Sequence, residues 1–359
     1  MSSPTRADTS FDSKQAQQMP SVPPQMALAR LMTGYAVAQL IYVAAKLGLA
    51  DLLKDGPQSI DELARLTETD KNSLYRVMRG LVAAGVFQEN DATGFELSAV
   101  GQCLCTGVPG SMSAMALCSD ESYFVWGHLL HTVKTGETAF NHLYDMDRYQ
   151  YLREHPEAAA KFHAAMSGLS AQIAEAVVKL YDLSTFDKVI DVGGGSGTLL
   201  LTLLRAHPSL RGVLFDQPAV VEEATEQFAK EPIAALAKRC EVVAGDFLTS
   251  VPAGGDAYLL SHVLHNWDDE NCRSILRNCR AAMGEQSKLL LIEIVLPGRL
   301  NQSPMTYPIV MTDLQMLVMT GGRERTEPEF RALLQDAGFE LQRVIQTRGL
   351  DSLIECVPV

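Results

Sequence analysis

In the first half of the chain, apolar residues recur in steps of three and four. From residue 188 onward they gather into short runs that end in polar or acidic residues. The first pattern is that of helices with one buried face, the second that of strands covered on both sides. Residues 25–53 carry Leu28, Leu31, Met32 and Tyr35, then Leu40, Val43 and Leu47, which predicts one long helix with a wide apolar face. A face that wide serves either a core or a contact between subunits. Ser59-Ile-Asp-Glu62 is a capping box opening a short helix to Leu66, and Asp70 can cap a second that passes through Tyr75, Val77, Met78 and Leu81 and stops at Gly85. Val86-Phe-Gln, the turn Asn90-Asp-Ala-Thr-Gly94 and Phe95-Glu-Leu then predict a hairpin. Helices followed by a hairpin form a winged-helix-like N-terminal domain, assigned to residues 25–110.

Residues 111–180 are predicted to be a helical connector that contributes to a pocket; within it Pro156 starts a helix running to about Tyr181 with Phe162, Met166 and Ile173 on one side. Residues 181–359 alternate. Strands are predicted at 188–191, 211–216, 240–245, 256–261 and 287–293, helices at 197–206, 218–229, 269–283 and 326–337, and a closing pair of strands at 339–346 and 350–357. This predicts an α/β fold with a Rossmann-like, doubly wound parallel sheet whose ligands sit at the strands' carboxyl ends.

Charge and composition narrow the function. A net charge of −13, and seven Lys/Arg against nine Asp/Glu in residues 26–100, speak against nucleic acid as a partner of the winged-helix-like domain. No apolar run reaches the ~18 residues of a membrane helix. The segment 1–24, rich in Ser, Pro and Gln and without an apolar signal core, reads as a disordered tail of a cytoplasmic protein. Seven cysteines, an odd number and mostly in apolar segments, are expected to be reduced thiols, and none forms a second pair at zinc spacing.

Candidate chemistry begins at Asp191-x-Gly193-x-Gly195-x-Gly197, a strand, turn and helix start where glycines let the backbone bend and a ligand approach. Thr198 and Leu200 break the dinucleotide fingerprint, no lysine completes a phosphate-binding loop, and the nucleophile elbow fails at Thr198. Asp216 ends the next strand, where a carboxylate can accept from ribose hydroxyls; Asp246 and Phe247 follow the third, an acceptor and a ring face that suit adenine. Beyond the fourth strand lies His265. Glu293, finishing a very apolar strand, and Glu324 are acids that could accept from one imidazole nitrogen and leave the other as a base. Asp268 can cap the following helix. A metal built from Asp268, Asp269 and Glu270 is the rival, although consecutive acids at a helix start more often serve its dipole.

Taken together, Asp191-Val-Gly-Gly-Gly-Ser-Gly197, Phe215-Asp-Gln-Pro218, Gly245-Asp-Phe247, His262-Val-Leu-His-Asn-Trp-Asp-Asp-Glu270 and Gly321-Gly-Arg-Glu-Arg-Thr326 resemble the small-molecule O-methyltransferases of the caffeic acid and bacterial antibiotic type. The resemblance spans about residues 26–357. It implies an N-terminal dimerisation domain, a class I methyltransferase sheet, a homodimer, S-adenosylmethionine as donor with S-adenosylhomocysteine as product, an aromatic acceptor bearing a hydroxyl, and no metal. It further implies His265 as general base flanked by Glu293 and Glu324. Donor contacts fall at Ser170, Asp191, Gly193, Gly195, Asp216, Asp246, Phe247 and Ser261, and acceptor contacts at Phe162, Met166, Asn266, Met316 and Met319. Asn266 and Ser261 depart from the acid and the lysine usual in plant members, which suits the bacterial relatives better. Two other functions stay open: an enzyme of this fold that binds the same donor but performs decarboxylation, hydroxylation or a pericyclic step, and a ligand-responsive regulator.

Overall fold

The computed structural model describes residues 22–90, 94–230, 233–301 and 303–359. Most of the predicted tail and the middle of the predicted hairpin turn, residues 91–93, lie outside the described residues. Five helices open the chain: α1 (Pro24–Met32), α2 (Gly34–Lys46), α3 (Leu49–Leu52), α4 (Ile60–Thr67) and α5 (Lys71–Ala83). The hairpin β1 (Phe87–Asn90) and β2 (Gly94–Leu97) follows, antiparallel, with Phe87 opposite Leu97. Ser59 accepts from the Glu62 amide and Asp70 from that of Ser73, the two caps expected.

The single helix expected over 25–53 is instead three. Thr33 interrupts it, its hydroxyl donating to the carbonyls of Ala29 and Arg30, and Gly48 ends α2 in the left-handed region at φ 64°. Apolar spacing continues across both breaks, so periodicity alone could not reveal them. The consequence is an α1 that buries none of its residues within the subunit. Leu31 is 72% and Tyr35 62% exposed, and Met26, Leu28 and Met32 share that exposure.

The short α6 (Ala99–Gln102) ends the N-terminal part; four shorter helices then make the connector and one long helix closes it: α7 (Ser113–Trp126), α8 (Leu129–Thr135), α9 (Ala139–Tyr144), α10 (Arg148–Glu154) and α11 (Pro156–Leu180). The second half then runs β3 (Lys188–Val192), α12 (Thr198–Ala206), β4 (Arg211–Asp216), α13 (Pro218–Phe228), α14 (Ala234–Ala237), β5 (Cys240–Ala244), β6 (Ala257–Ser261), α15 (Asp269–Ala282), β7 (Lys288–Leu296), α16 (Thr306–Met319), β8 (Arg325–Thr326), α17 (Glu327–Asp336), β9 (Phe339–Gln346) and β10 (Asp351–Pro358). The sheet order is β5-β4-β3-β6-β7-β10-β9, parallel as far as β7 and antiparallel at β10 and β9, with β8 pairing the end of β7.

Alternation along the strands explains both layers. Ile190, Tyr258, Leu260, Leu289 and Leu291 face the core under α15 and α17, while Val189, Leu259, Leu290 and Ile292 face the core shared with α11, α12 and α13. Both faces are covered, so the strands read as apolar runs. In β7 the row Leu289, Leu291 ends at Glu293, a carboxylate placed by register at the sheet's carboxyl edge with no exposed surface.

Among the described residues no single helix is long and apolar enough to cross a membrane; α1 and α2 reach that composition only as a pair bent by 45°.

Candidate active site

At the carboxyl edge of the parallel strands lies a cavity of about 2160 Å³, walled by α7, α10, α11, the glycine turn, the loop after β6, and α16. A single small-molecule pocket is typically ~300–1,000 Å³, so this space admits two ligands side by side.

The floor is the turn after β3. Gly193, Gly195 and Gly197 all have positive φ (73°, 58° and 74°), and a Cβ on Gly193 would meet the Val263 side chain at 3.0 Å. Asp216 Oδ2 accepts from the Gly195 amide at 2.8 Å and Oδ1 from Gln217 at 2.7 Å. Behind it, Asp191 is buried with neither carboxylate oxygen hydrogen-bonded. Burial, then the nearby charge of Asp216, pushes its carboxyl up to about 7. Two adjacent acids without a cation, one of them lacking every partner, fit a ligand that brings hydroxyl and ammonium donors. S-adenosylmethionine brings both. Phe247 sits beside Gly193, and Ser196 joins the turn to α11 through Ser167 at 2.9 Å.

The loop after β6 carries the imidazole. His262 leaves the strand with φ 54°, a conformation costly for a side chain of its size. It is held there by its Nε2 contact with Asp351 Oδ1 at 2.6 Å and by Asn266 Nδ2, which donates to its carbonyl at 2.9 Å. A single 3-10 turn over Leu264–Asn266 then brings buried His265 to the cavity wall. His265 Nδ1 meets Glu324 Oε1 at 2.9 Å and lies 3.9 Å from Glu293 Oε2. Glu293 Oε1 accepts from the amides of Val263 and Leu264 at 3.2 and 2.8 Å, fixing the turn beneath the ring.

Burial acts against charge on all three groups. It lowers His265 to about 4, and raises both Glu293 and, to about 8, Glu324. The donor atoms of the three lie within 4.8 Å of one another, close enough to hold a cation. The 2.9 Å separation of His265 from Glu324 is nevertheless short of the ~3.3 Å between two ligands of a tetrahedral ion, and has the length of a hydrogen bond.

Of the residues expected at the donor site, Ser170, Asp191, Gly193, Gly195, Asp216, Phe247 and Ser261 line the cavity. Asp246 does not: it is exposed, and its Oδ1 accepts from the Leu248 amide within its own loop. Phe162, Met166, Asn266, Met316 and Met319 also line it, Phe162 and Met166 from α11 and the other methionines from α16. Glu293 and Glu324 stand behind His265 rather than on the wall. Of the acids considered as a metal set, Asp268 caps α15 through the Asn271 amide and Asp269 pairs with Arg323 and Arg325.

Several supports were not predicted. Arg325 is wholly buried; its guanidinium donates to the carbonyls of Leu264 and Trp267 and to Asp269, clamping the His265 loop. Gly322 packs so closely that a Cβ would run into the His265 carbonyl. The Glu324 amide donates to Asp313 Oδ1 at 2.9 Å. Tyr149 lies parallel to Trp267 at 6.1 Å, and Trp267 is edge-on to Phe247 at 6.0 Å, forming an aromatic wall. Trp267 stands inside the quoted motif and could have been found; Tyr149, in another element, gave no signal.

The chain matches two family models: an O-methyltransferase dimerisation domain over residues 29–107 and an O-methyltransferase domain over 126–340. It is 44% identical to the phenazine O-methyltransferase PhzM of Lysobacter antibioticus, over 94% of this chain and 98% of that protein. It is 32% identical to the phenazine-1-carboxylate N-methyltransferase of Pseudomonas aeruginosa, over 89% and 92%. Among solved structures, LaPhzM superposes with a TM-score of 0.86 at 43% identity, over 94% of this chain and all of that one.

Proposed function

The chain belongs to the O-methyltransferase family and takes its methyl group from S-adenosylmethionine, so we propose that it methylates a hydroxyl of an aromatic small molecule with His265 as general base. The hydroxyl is phenolic, no metal takes part, and the working species is a homodimer in natural-product biosynthesis. The observation that carries this reading is the 2.9 Å contact between His265 Nδ1 and buried Glu324 on a ring that lines the cavity.

When bound, S-adenosylmethionine supplies an electrophilic methyl group open to in-line attack. Asp191, Asp216, the glycine turn, Ser170, Ser261 and Phe247 hold it. Phe162, Met166, Met316, Met319 and Asn266 orient the acceptor; thioethers adapt to flat ligands of varied outline. Enclosing both molecules excludes water and fixes the line of approach, which is where most of the acceleration arises.

His265 manages the proton. A phenol ionises near pH ~10, so a base must remove its proton at neutral pH. Burial keeps His265 neutral. With Nδ1–H donated to Glu324, the Nε2 lone pair is left to accept the acceptor's proton, and the imidazolium so formed has two acids on its Nδ1 side. The hydrogen bond ties His265 to Glu324; activity requires the form in which Glu324 is ionised, and because burial raises that carboxyl to about 8 the form grows in as pH rises through neutrality.

The test is His265→Ala assayed with labelled donor against phenols and aromatic amines. Methylation of phenols should fall by on the order of 10²-fold or more with donor binding unchanged. Near-wild-type turnover would overturn the assignment, and labelled amines alone would replace the oxygen acceptor by nitrogen.

A further inference from the structure

The hairpin of α8 and α9 gathers three of the chain's eight histidines, none of them on the cavity wall. Gly136, at φ 79°, turns the chain between the helices, and Thr138 caps α9 through the Asn141 amide at 3.0 Å. The turn lays His131 of α8 on His142 of α9, rings stacked with centroids 3.7 Å apart and planes 6° from parallel. Glu137 reaches back so that its Oε2 lies 2.7 Å from His131 Nε2, and the donor atoms of His131, Glu137 and His142 fall within 4.8 Å of one another. His128, one turn earlier, has its ring 5.4 Å from that of His142.

We propose that His131, Glu137 and His142 bind a divalent late first-row cation, zinc by preference, at a surface site separate from the His265 cluster, with His128 or water as fourth ligand. Two or three imidazoles and one carboxylate are a borderline-soft donor set, which favours zinc over magnesium or calcium. Ligation at ~2.0–2.2 Å sets ligand atoms ~3.3 Å apart, so on binding the 2.7 Å contact of His131 with Glu137 opens and the stacked rings turn, which His142 and Glu137, both exposed, have room to do. Among the described residues no lysine or arginine pairs with Glu137; its partner is His131.

Such an ion would brace the cavity wall. Ala139 and Phe140 of α9 share an apolar cluster with Val318 and Met319 of α16, and Leu129 and Leu143 pack against it. A Cβ on Gly321, which precedes Glu324 and β8, would lie 3.1 Å from the Thr138 methyl group. Joining α8 to α9 therefore stiffens the support of α16.

The experiment uses tag-free, chelator-treated full-length protein titrated with zinc by calorimetry and with cobalt by visible absorption. One ion per chain, an intense cobalt band of a four-coordinate site, and a zinc-dependent rise in thermal midpoint are expected. The double variant His131→Ala, His142→Ala should lose the band and bind zinc on the order of 100-fold more weakly, while methyl transfer without added metal stays unchanged. Equal binding by the double variant, or no zinc binding by the wild type, overturns the proposal. Loss of binding in Glu324→Gln with retention in the double variant also overturns it, by placing the ion at the buried cluster.

Discussion

His262 and His265 stand edge to face, ring centroids 4.9 Å apart at 87°, and their surroundings shift the two rings in opposite directions. Burial disfavours charge on both. At His262 the hydrogen bond and charge of Asp351 outweigh it and raise the ring to about 8, whereas His265 falls to about 4. At neutral pH the cation therefore sits beside Asp351, and its field helps keep the neighbouring ring unprotonated. His262→Asn removes that cation, and asparagine tolerates the left-handed backbone. Without it His265 takes up a proton at higher pH, so the acid limb of the kcat profile should move upward. A limb that stays in place would show that the two rings are not coupled.

Gly322→Ala should cost activity beyond its small change in volume. The added methyl group points into a backbone carbonyl, that of His265, which cannot rotate aside. Displacement of the base by an ångström is expected to lower kcat by about 10²-fold with donor affinity preserved. Equal losses of kcat and donor binding would indicate general misfolding instead.

Asp191 gives a pH-dependent stability with a definite sign. Its carboxyl is raised from 3.8 to about 7 in the folded protein. The folded state therefore binds more protons than the unfolded one, and the ligand-free protein loses stability as pH rises from about 4 to 7, by on the order of 4 kcal/mol. Asp191→Asn should raise the thermal midpoint of the ligand-free protein at pH 8 and weaken S-adenosylhomocysteine binding. The stabilisation given by S-adenosylhomocysteine to the wild type should be larger at pH 8 than at pH 5.5. A pH-independent increment would mean that Asp191 does not face the ligand.

Leu31→Asp tests the exposed stripe of α1. A nine-residue helix that buries nothing in its own subunit is below the ~12–15 residues needed to persist alone in water, and a partner surface is expected to hold it. The variant is expected to shift the protein from dimer to monomer in light scattering. An unchanged mass would place the interface elsewhere.

The sheet was legible because strands buried on both faces read as apolar runs, three of them closing on an acid, Asp191, Asp216 or Glu293. His265 could be named because its loop is a contiguous motif. Local rules did not reveal what depends on distant packing. Thr33 breaks a helix whose periodicity continues unbroken, and Arg325 acts on carbonyls some sixty residues earlier, Leu264 and Trp267. Asp246 followed the pattern of strand-end acids but turns into its own loop. His131 and His142 are apart in sequence and meet only because Gly136 reverses the chain. The capping residues, whose partners lie three positions away, were the most readable of all.

The last strand, β10, is inserted between β7 and β9, and its first residue, Asp351, holds His262. Every donor-site residue named on the cavity wall lies at or before Ser261, whereas the groups that position the imidazole, Glu293, Glu324, Arg325 and Asp351, all come later. In chain order the donor half therefore precedes the half that moves the proton. Glu293, Glu324 and Arg325 seat His265 before β10 begins, and β10 adds the Asp351 contact that holds His262. Removal of β10 would therefore free His262 of its Asp351 partner while leaving the glycine turn and the Glu324 contact in the chain.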